Sequence, residues 1–577
     1  MDPQKCAPAA FGVLFVDGFR EQRSGSAVAL LASALYGWLY QWTAGAGQED
    51  LKLSDAVLSD TLQPEDGQPP HVTLTIPRLA LGEDVSASWL LAESSWASLF
   101  RAPQFLGLAR WIWKVSTCLL VLQFVIPLRR HWNQAWVREA PSGRRVADAL
   151  MALAYLGLMG VAAVLSVLVS LVLLVLAIAS YLPIPRIDDA VRWVVVQVSA
   201  VLGDSYMLAH CPVQFAAMRT QIGRDLDWLH ARCDKVAVVA HSQGAAIVHQ
   251  VLKEHECRSD RLTGLVTLGQ GISKLALMQR LDWDPNVRTA ARQSRFFVTA
   301  GMASAGLPAL GAVATRWLGI TQLRGLSDSW LTVVLLLAGF ASLGVGIWRA
   351  MHAGCRALEN DLSLTRAGYL WSDYYASADP VSNGPLPRRD ETAPGKLLPK
   401  PCKEVFNSGS VLFDHNGYLH NHDELLPRLI NDLIRAASAE PTSSDEYQLV
   451  SKDLIEAARG RRLWLVRFLI GARIAALVVF GLAWYADTDS VMRRPLDWLT
   501  RLLPMHDQMG SGTIRLVGAL IITAAFYALA VTVWRISIGR SAQRFFRTAT
   551  ADSRPLPRDL ESASAPTTAH SVPGAVH

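Results

Sequence analysis

Val236-Ala237-Val238-Val239-Ala240-His241-Ser242-Gln243-Gly244-Ala245-Ala246-Ile247-Val248 is the stretch on which the fold turns. Val236 to Ala240 form a short run of β-branched and small apolar residues, which is the pattern of a strand buried on both faces. Ala245 to Val248 and the residues after them continue as an apolar helix former. Ser242 therefore falls on a sharp strand-to-helix turn, where its hydroxyl is exposed above the sheet edge and where only small neighbours let the backbone fold back. Ala240 and Gly244 occupy those small positions. A serine that merely caps a helix is the plainer reading, and the strand before the turn argues against it.

The surrounding chain alternates between strand and helix periods. Phe11 to Val16 reads as a buried strand that enters a turn at Asp17-Gly18, and Val72, Leu74 and Ile76 alternate with threonines as in a half-buried strand. Met218, Ile222, Leu226 and Leu229 recur at helical spacing, while Leu265 to Leu268 and Tyr369 to Tyr375 supply further strands. Strands alternating with helices predict an α/β architecture with a mainly parallel sheet. Pro380 to Pro401 reads as a loop, and the chain after Ser553 as a disordered tail.

Composition adds a second layer. Apolar residues make up 51% of the 577 and charged ones 18%, with mean hydropathy +0.23, a balance displaced toward membrane proteins. Four runs, Ala149 to Pro185, Ser329 to Trp348, Ile474 to Ala486 and Val517 to Trp534, read as membrane-spanning. For Val115 to Leu128 and Phe296 to Ile320 a buried soluble helix is an equal reading. Paired, the runs form hairpins over Trp111–Pro185, Phe296–Trp348 and Leu463–Trp534, and they cut the α/β domain into pieces. The expected divisions are 1–105, 191–295 and 351–445 for the α/β domain, 106–190, 296–350 and 446–550 for the transmembrane hairpins, and 551–577 for the tail.

The bilayer is thus one expected partner. The net charge of +6 without a basic, aromatic-laced tract excludes nucleic acid as an expected one. Seven scattered cysteines with no CxxC pair argue against a disulfide framework or a structural zinc site. They suit a domain in a reducing cytosol, and Arg349, Arg356, Arg459, Arg461, Arg462, Arg535 and Arg540 flank the α/β side in keeping with that orientation, at an inner or plasma membrane. The connector with Arg129, Arg130, Arg138, Arg144 and Arg145 runs against it. Oligomeric state is not legible.

With its elbow the sequence resembles the α/β-hydrolase superfamily, and within it membrane-associated, lipase-like bacterial serine hydrolases with an AHSxG turn. Phe15-Val16-Asp17-Gly18-Phe19-Arg20-Glu21-Gln22 resembles the family's oxyanion loop, with Asp17 where histidine is common. Ala92-Glu93-Ser94-Ser95-Trp96-Ala97 and Gly203-Asp204 extend the likeness. The resemblance implies Ser242 as nucleophile and an oxyanion hole from the Gln243 N–H and an N–H near Gly18-Phe19.

In that fold the acid and then the histidine follow the serine. Asp379, in Asp379-Pro380-Val381-Ser382-Asn383-Gly384, comes just after a predicted strand and resembles the family's acid turn; Asp373, inside the strand, is the competitor. His415, in an Asp414-His415-x-x-Tyr418 string, resembles the base loop and is preferred to His420 and His422. Those two lead into the amphipathic run Leu425 to Ile434. No second ligand cluster accompanies the three histidines, so neither a metal nor any other cofactor is expected. The function implied is hydrolysis of an ester of a lipid or other acyl substrate. An inert scaffold on the same fold, suggested by Asp17, and a transporter, suggested by Arg467 and Arg473 beside an apolar run, are the alternatives.

Overall fold

The computed structural model describes residues 9–18, 24–45, 68–75, 88–96, 105–122, 124–136, 142–179, 204–254, 261–317, 330–357, 362–365, 369–376, 378–382, 384–386, 396–397, 399, 403–410, 414–438, 449–485 and 511–552. In chain order its elements are β1 (Ala9–Val16), α1 (Ser26–Gly45), β2 (His71–Thr75), β3 (Ser88–Glu93), α2 (Phe105–Leu122), α3 (Val125–Ala135) and α4 (Ser142–Ala179). There follow α5 (Asp204–His210), α6 (Pro212–His230), β4 (Cys233–His241), α7 (Gln243–Glu254), β5 (Leu262–Leu268), α8 (Ile272–Trp283), α9 (Pro285–Trp317) and α10 (Trp330–Ala357). The last are β6 (Leu364–Thr365), β7 (Leu370–Ala376), β8 (Lys396–Leu397), β9 (Lys403–Val405), α11 (Leu425–Ala437), α12 (Lys452–Tyr485) and α13 (Ser511–Asp552).

Seven strands form one sheet in the order β2-β3-β1-β4-β5-β7-β9. Every pairing is parallel except that of β2 with β3. The period-2 geometry of a strand explains its two apolar faces. Phe11, Val13 and Phe15 of β1 and Ala237 and Val239 of β4 face a core shared with α1 and α11. Leu14 and Val16, with Val236, Val238 and Ala240, face the opposite core, shared with α6, α7 and α8. Helices thus cover both faces, which is why the central strands read as unbroken apolar runs.

A third core lies away from the sheet, among α2, α4, α9, α10 and the end of α8. Four helical stretches are long and apolar enough to cross a membrane: Asp148–Leu176, Trp330–Gly354, Lys452–Leu482 and Gly518–Thr548. Each overlaps one of the four runs read as spanning, but the third lies mostly upstream of Ile474 to Ala486 and shares only 474–482 with it. α2 and α4 run antiparallel, Thr117 Oγ1 lying 2.9 Å from Ser166 Oγ and Ser116 Oγ 3.4 Å from Ser170 Oγ. α9 and α10 do likewise, with Ser294 donating to the Gly346 carbonyl at 2.7 Å and Ser342 to that of Phe297 at 2.8 Å. α12 and α13 make the third such pair, where Arg473 meets Tyr527 and Arg461 meets Ser541.

Several boundaries differ from the sequence reading. Val115 to Leu128 is broken between α2 and α3, with Pro127 in the first turn of the new helix, where a missing N–H does no harm. Of Ala149 to Pro185, the described part lies in one helix of 38 residues, α4, and the arginines upstream of Ile474 lie within α12, which lengthens that run toward its N-terminus. α9 runs through the expected boundary at residue 295. The Pro-rich stretch is not wholly loop, since β8 pairs with β6. β3 escaped the sequence reading because both its faces are covered and its pattern does not alternate, and β9 because it is only 3 residues long. Ile76, Phe19 and the tail from 553 on lie outside the described residues.

Candidate active site

The carboxyl ends of β1, β4, β5 and β7 meet at one edge of the sheet, and all the expected site residues that are described lie there. Ser242 follows β4 with φ +59°, the single positive φ among described residues other than glycine. Such a backbone costs on the order of 1–3 kcal/mol and persists only where its surroundings over-determine it. Here its N–H donates to the Leu268 carbonyl at 3.0 Å, and its own carbonyl accepts from Gly271 N–H at 2.9 Å. Gly244 is required at the turn: a Cβ there would stand 2.4 Å from the Val16 carbonyl oxygen.

One imidazole joins the serine to a carboxylate. His415 Nε2 lies 2.7 Å from Ser242 Oγ, and its Nδ1 lies 2.9 Å from Asp379 Oδ1. Asp379 is buried. Its Oδ1 also accepts the Val381 N–H at 2.7 Å, and its Oδ2 accepts the Tyr418 hydroxyl at 2.6 Å. Burial opposes charge on Asp379, but the neighbouring imidazole, the Tyr418 hydroxyl and the Val381 N–H outweigh it and hold the carboxyl below its usual range. Burial likewise disfavours the charged form of His415 and prevails over the pull of Asp379, so the imidazole sits below its ordinary pKa and is neutral at pH 7. The ring is then able to accept a proton from Ser242.

Gly269 makes the approach of these groups possible. It ends β5 with φ +53°, and a Cβ on it would lie 2.5 Å from Asp379 Oδ2 and 2.6 Å from a ring carbon of Tyr418. Asp373, the alternative acid, lies inside β7 and accepts the Thr267 hydroxyl at 2.7 Å. His420 is exposed on a one-turn 3₁₀ segment, and the carbonyl of His422 accepts the Trp38 indole N–H at 2.7 Å.

On the oxyanion side Gln243 is the first residue of α7, so its N–H stands at the positive end of a helix. Gly18 lies against Ser242, where a Cβ would meet its Oγ at 2.8 Å. Its N–H, however, donates to Asp17 Oδ1 at 2.8 Å and is turned to that carboxylate. Phe19, the other expected donor, is outside the described residues. The Ser94 to Trp96 segment secures this loop: Ser94 N–H donates to the Phe15 carbonyl at 3.0 Å and the Trp96 indole to that of Asp17 at 3.0 Å.

Two supports of the site had no signature in the sequence. His241 Nδ1 lies 2.6 Å from Asp17 Oδ1 and its Nε2 lies 3.0 Å from the His415 carbonyl oxygen, the two rings stacking with centroids 4.7 Å apart. A carboxylate and a carbonyl both only accept, so this geometry asks both ring nitrogens to donate. Burial works against the resulting cation, but Asp17 and the carbonyl overcome it and raise the His241 pKa. Lys274 of α8 is the second: it donates to the Pro380 carbonyl beside Asp379, and burial pushes its ammonium down to about 8.

The turn that carries His415 is tied on its other side to the pair of membrane-length helices α12 and α13. Asp414, fully buried, accepts the Ser408 N–H and hydroxyl at 2.7 Å each and the Ala378 N–H at 3.3 Å, which fastens the base turn to the acid turn. Arg473 of α12 donates to the carbonyls of Ser408 and Gly409, and Arg462 pairs with the buried Asp423, which also accepts the Ser541 hydroxyl of α13 at 2.8 Å. Arg473 therefore does not reach out to the interface as an isolated membrane arginine would; Arg467 is exposed.

No family model, curated protein or solved structure matches this chain.

Proposed function

We propose that this chain is a membrane-integral serine hydrolase of the α/β-hydrolase type that cleaves an ester of a lipid or other acyl substrate. The observation that carries the reading is the relay in which one neutral imidazole faces Ser242 Oγ at 2.7 Å and a buried carboxylate at 2.9 Å through its two different nitrogens. The strained serine between strand and helix, the chain order serine, acid, histidine, and the parallel sheet that carries all three support it.

His415 Nε2 takes the hydroxyl proton as Ser242 Oγ attacks the acyl carbonyl, while Asp379 accepts the Nδ1–H and supports the imidazolium that forms. The Gln243 N–H stabilises the developing oxyanion at the helix end; loss of one such donor costs about 10²–10³ in rate. The imidazolium then protonates the leaving alcohol. In the second half His415 draws a proton from water, which attacks the acyl-enzyme and releases the acid. The acyl chain and head group are left open, and the lipid preference rests on the four membrane-length helices alone.

The inert scaffold has one observation in its favour, the Asp17 carboxylate that occupies the Gly18 N–H. The transporter reading loses Arg473, whose donors are spent on the base loop. Labelling of the purified full-length chain with a fluorophosphonate decides between hydrolase and scaffold. Covalent modification at Ser242 is the expected result, and no labelling of a folded chain would reject the hydrolase.

A further inference from the structure

Away from the sheet edge, α2, the end of α8 and the start of α9 line an open cavity of about 280 Å³. Arg110 and Lys114 enter it from α2, and Arg288, Arg292 and Arg295 from α9. The acid in its lining, Asp282, stands 2.7 Å from His210 Nε2. Arg295 is spent on Trp113, donating to its carbonyl and lying 4.8 Å from its ring centroid. Arg110, Lys114, Arg288 and Arg292 make no ion pair with any described residue, although uncompensated cations at such spacing repel one another. A concave site lined by four exposed cations, none paired with a described residue, suits an anion.

The helix registers give its level relative to the membrane-length spans. Ser294 meets Gly346, so Arg288 to Arg295 lie beside the last turns of the span Trp330–Gly354. Ser116 meets Ser170, so Arg110 and Lys114 lie beside the last turns of the span Asp148–Leu176. Two spans thus end at the same level, next to the cavity. Trp330 and Trp348 are 77% and 56% exposed near the two ends of α10. The 18 positions between them (348 − 330) correspond to about 27 Å of helix, close to a bilayer's hydrocarbon thickness of about 30 Å. Trp348, together with Trp283 at 81% exposure, marks the cavity end as the headgroup level.

We infer that this cavity binds the phosphate of an anionic phospholipid headgroup, with the acyl chains running along α9, α10 and α4. The apolar outward faces there, Leu171, Val175, Phe296 and Phe340, offer the surface such chains need. A free phosphate would satisfy the cations equally but not those faces. The site is separate from Ser242 and does not depend on the proposed activity.

The test uses the full chain in detergent, with lipid retention followed by native mass spectrometry and protection by thermal unfolding. The probes are phosphatidylglycerol, phosphatidylcholine and inorganic phosphate at equal concentration. Wild type is expected to retain and be stabilised by phosphatidylglycerol alone. Arg288→Gln/Arg292→Gln should weaken that retention roughly tenfold or more, as removal of two interfacial cations implies. Arg110→Gln/Lys114→Gln probes the same cavity from α2 should the first pair fail to fold. A control pair on the exposed face of α13, Arg535→Gln/Arg540→Gln, should leave it unchanged. Equal retention of phosphatidylcholine, equal loss in the control pair, or protection by inorganic phosphate alone would each overturn the assignment.

Discussion

Ser242 takes its position from its immediate chain neighbours, β4 before it and α7 after it, with crossing bonds to β5. His415 stands on a turn whose supports come from afar: Ala378 in the acid turn, 36 positions away from Asp414, and Arg473 in a membrane-length helix, 65 positions away from Ser408. The proposed reaction centre therefore has a half built by local strand-turn-helix geometry and a half built by tertiary contacts. The contrast teaches where each is vulnerable. Damage to the first needs a change at the turn itself, whereas the second is open to changes in a hairpin remote in sequence.

The largest expected effect lies at the local half. Ser242→Ala should abolish fluorophosphonate labelling and lower p-nitrophenyl ester turnover by about 10⁴-fold or more, with the chain still folded and membrane-inserted. Undiminished turnover would remove the nucleophile from Ser242 and with it the comparison.

At the remote half, His415→Ala should lose activity by several orders of magnitude, while His420→Ala and His422→Ala each retain most of it. Only the first ring lies within hydrogen-bond distance of both Ser242 and Asp379. A large loss on His420 or His422 with His415→Ala still active would move the base elsewhere in the loop.

Arg473→Leu sharpens the contrast further. It leaves the carbonyls of Ser408 and Gly409 without their guanidinium donor, and a shift of the base turn by about 1 Å is enough to cost up to about 10²-fold in rate. The expected pattern is a fall in kcat with KM little changed and with partial rescue by Arg473→Lys. An unchanged kcat would show that the hairpin does not position the base.

The smallest effect is on pH dependence. The proposed mechanism requires neutral His415, so the acidic limb of the kcat/KM profile should report its lowered pKa. Cationic His241 and Lys274 both disfavour a further positive charge there. Removing either cation makes protonation of His415 easier, raises its pKa and moves the acidic limb to higher pH. His241→Asn and Lys274→Met should each do so. The Lys274 contribution should fade above about pH 8, where that ammonium loses its charge. A limb that moves to lower pH in either variant would reverse the sign of the argument.

The elbow was legible because its whole geometry is encoded in thirteen adjacent residues: β-branched residues for the strand, small ones for the turn, apolar helix formers after it. The positions of Asp379 and His415 were legible only as short strings read in a known order. The sequence could not show that they meet, since the approach depends on Gly269 giving way to Tyr418 and the carboxylate together. The Gly18 N–H was expected to face the oxyanion, but a side chain one residue earlier competes for it. Such competition is decided by distances that no spacing rule contains.

By itself the sequence determined the layering of this protein. Period-2 and unbroken apolar runs specified a covered parallel sheet, and four charge-poor runs marked helices that reach membrane length in the structure, because periodicity and hydropathy are properties of consecutive residues. The tertiary structure alone decided which polar groups answer one another: Asp17 with His241, Lys274 with the Pro380 carbonyl, Asp414 with Ser408, and Arg473 with the base loop. A buried polar group must find a partner, but that partner is set by where the folded chain brings a complementary atom within about 3 Å, and sequence separation carries no information about that.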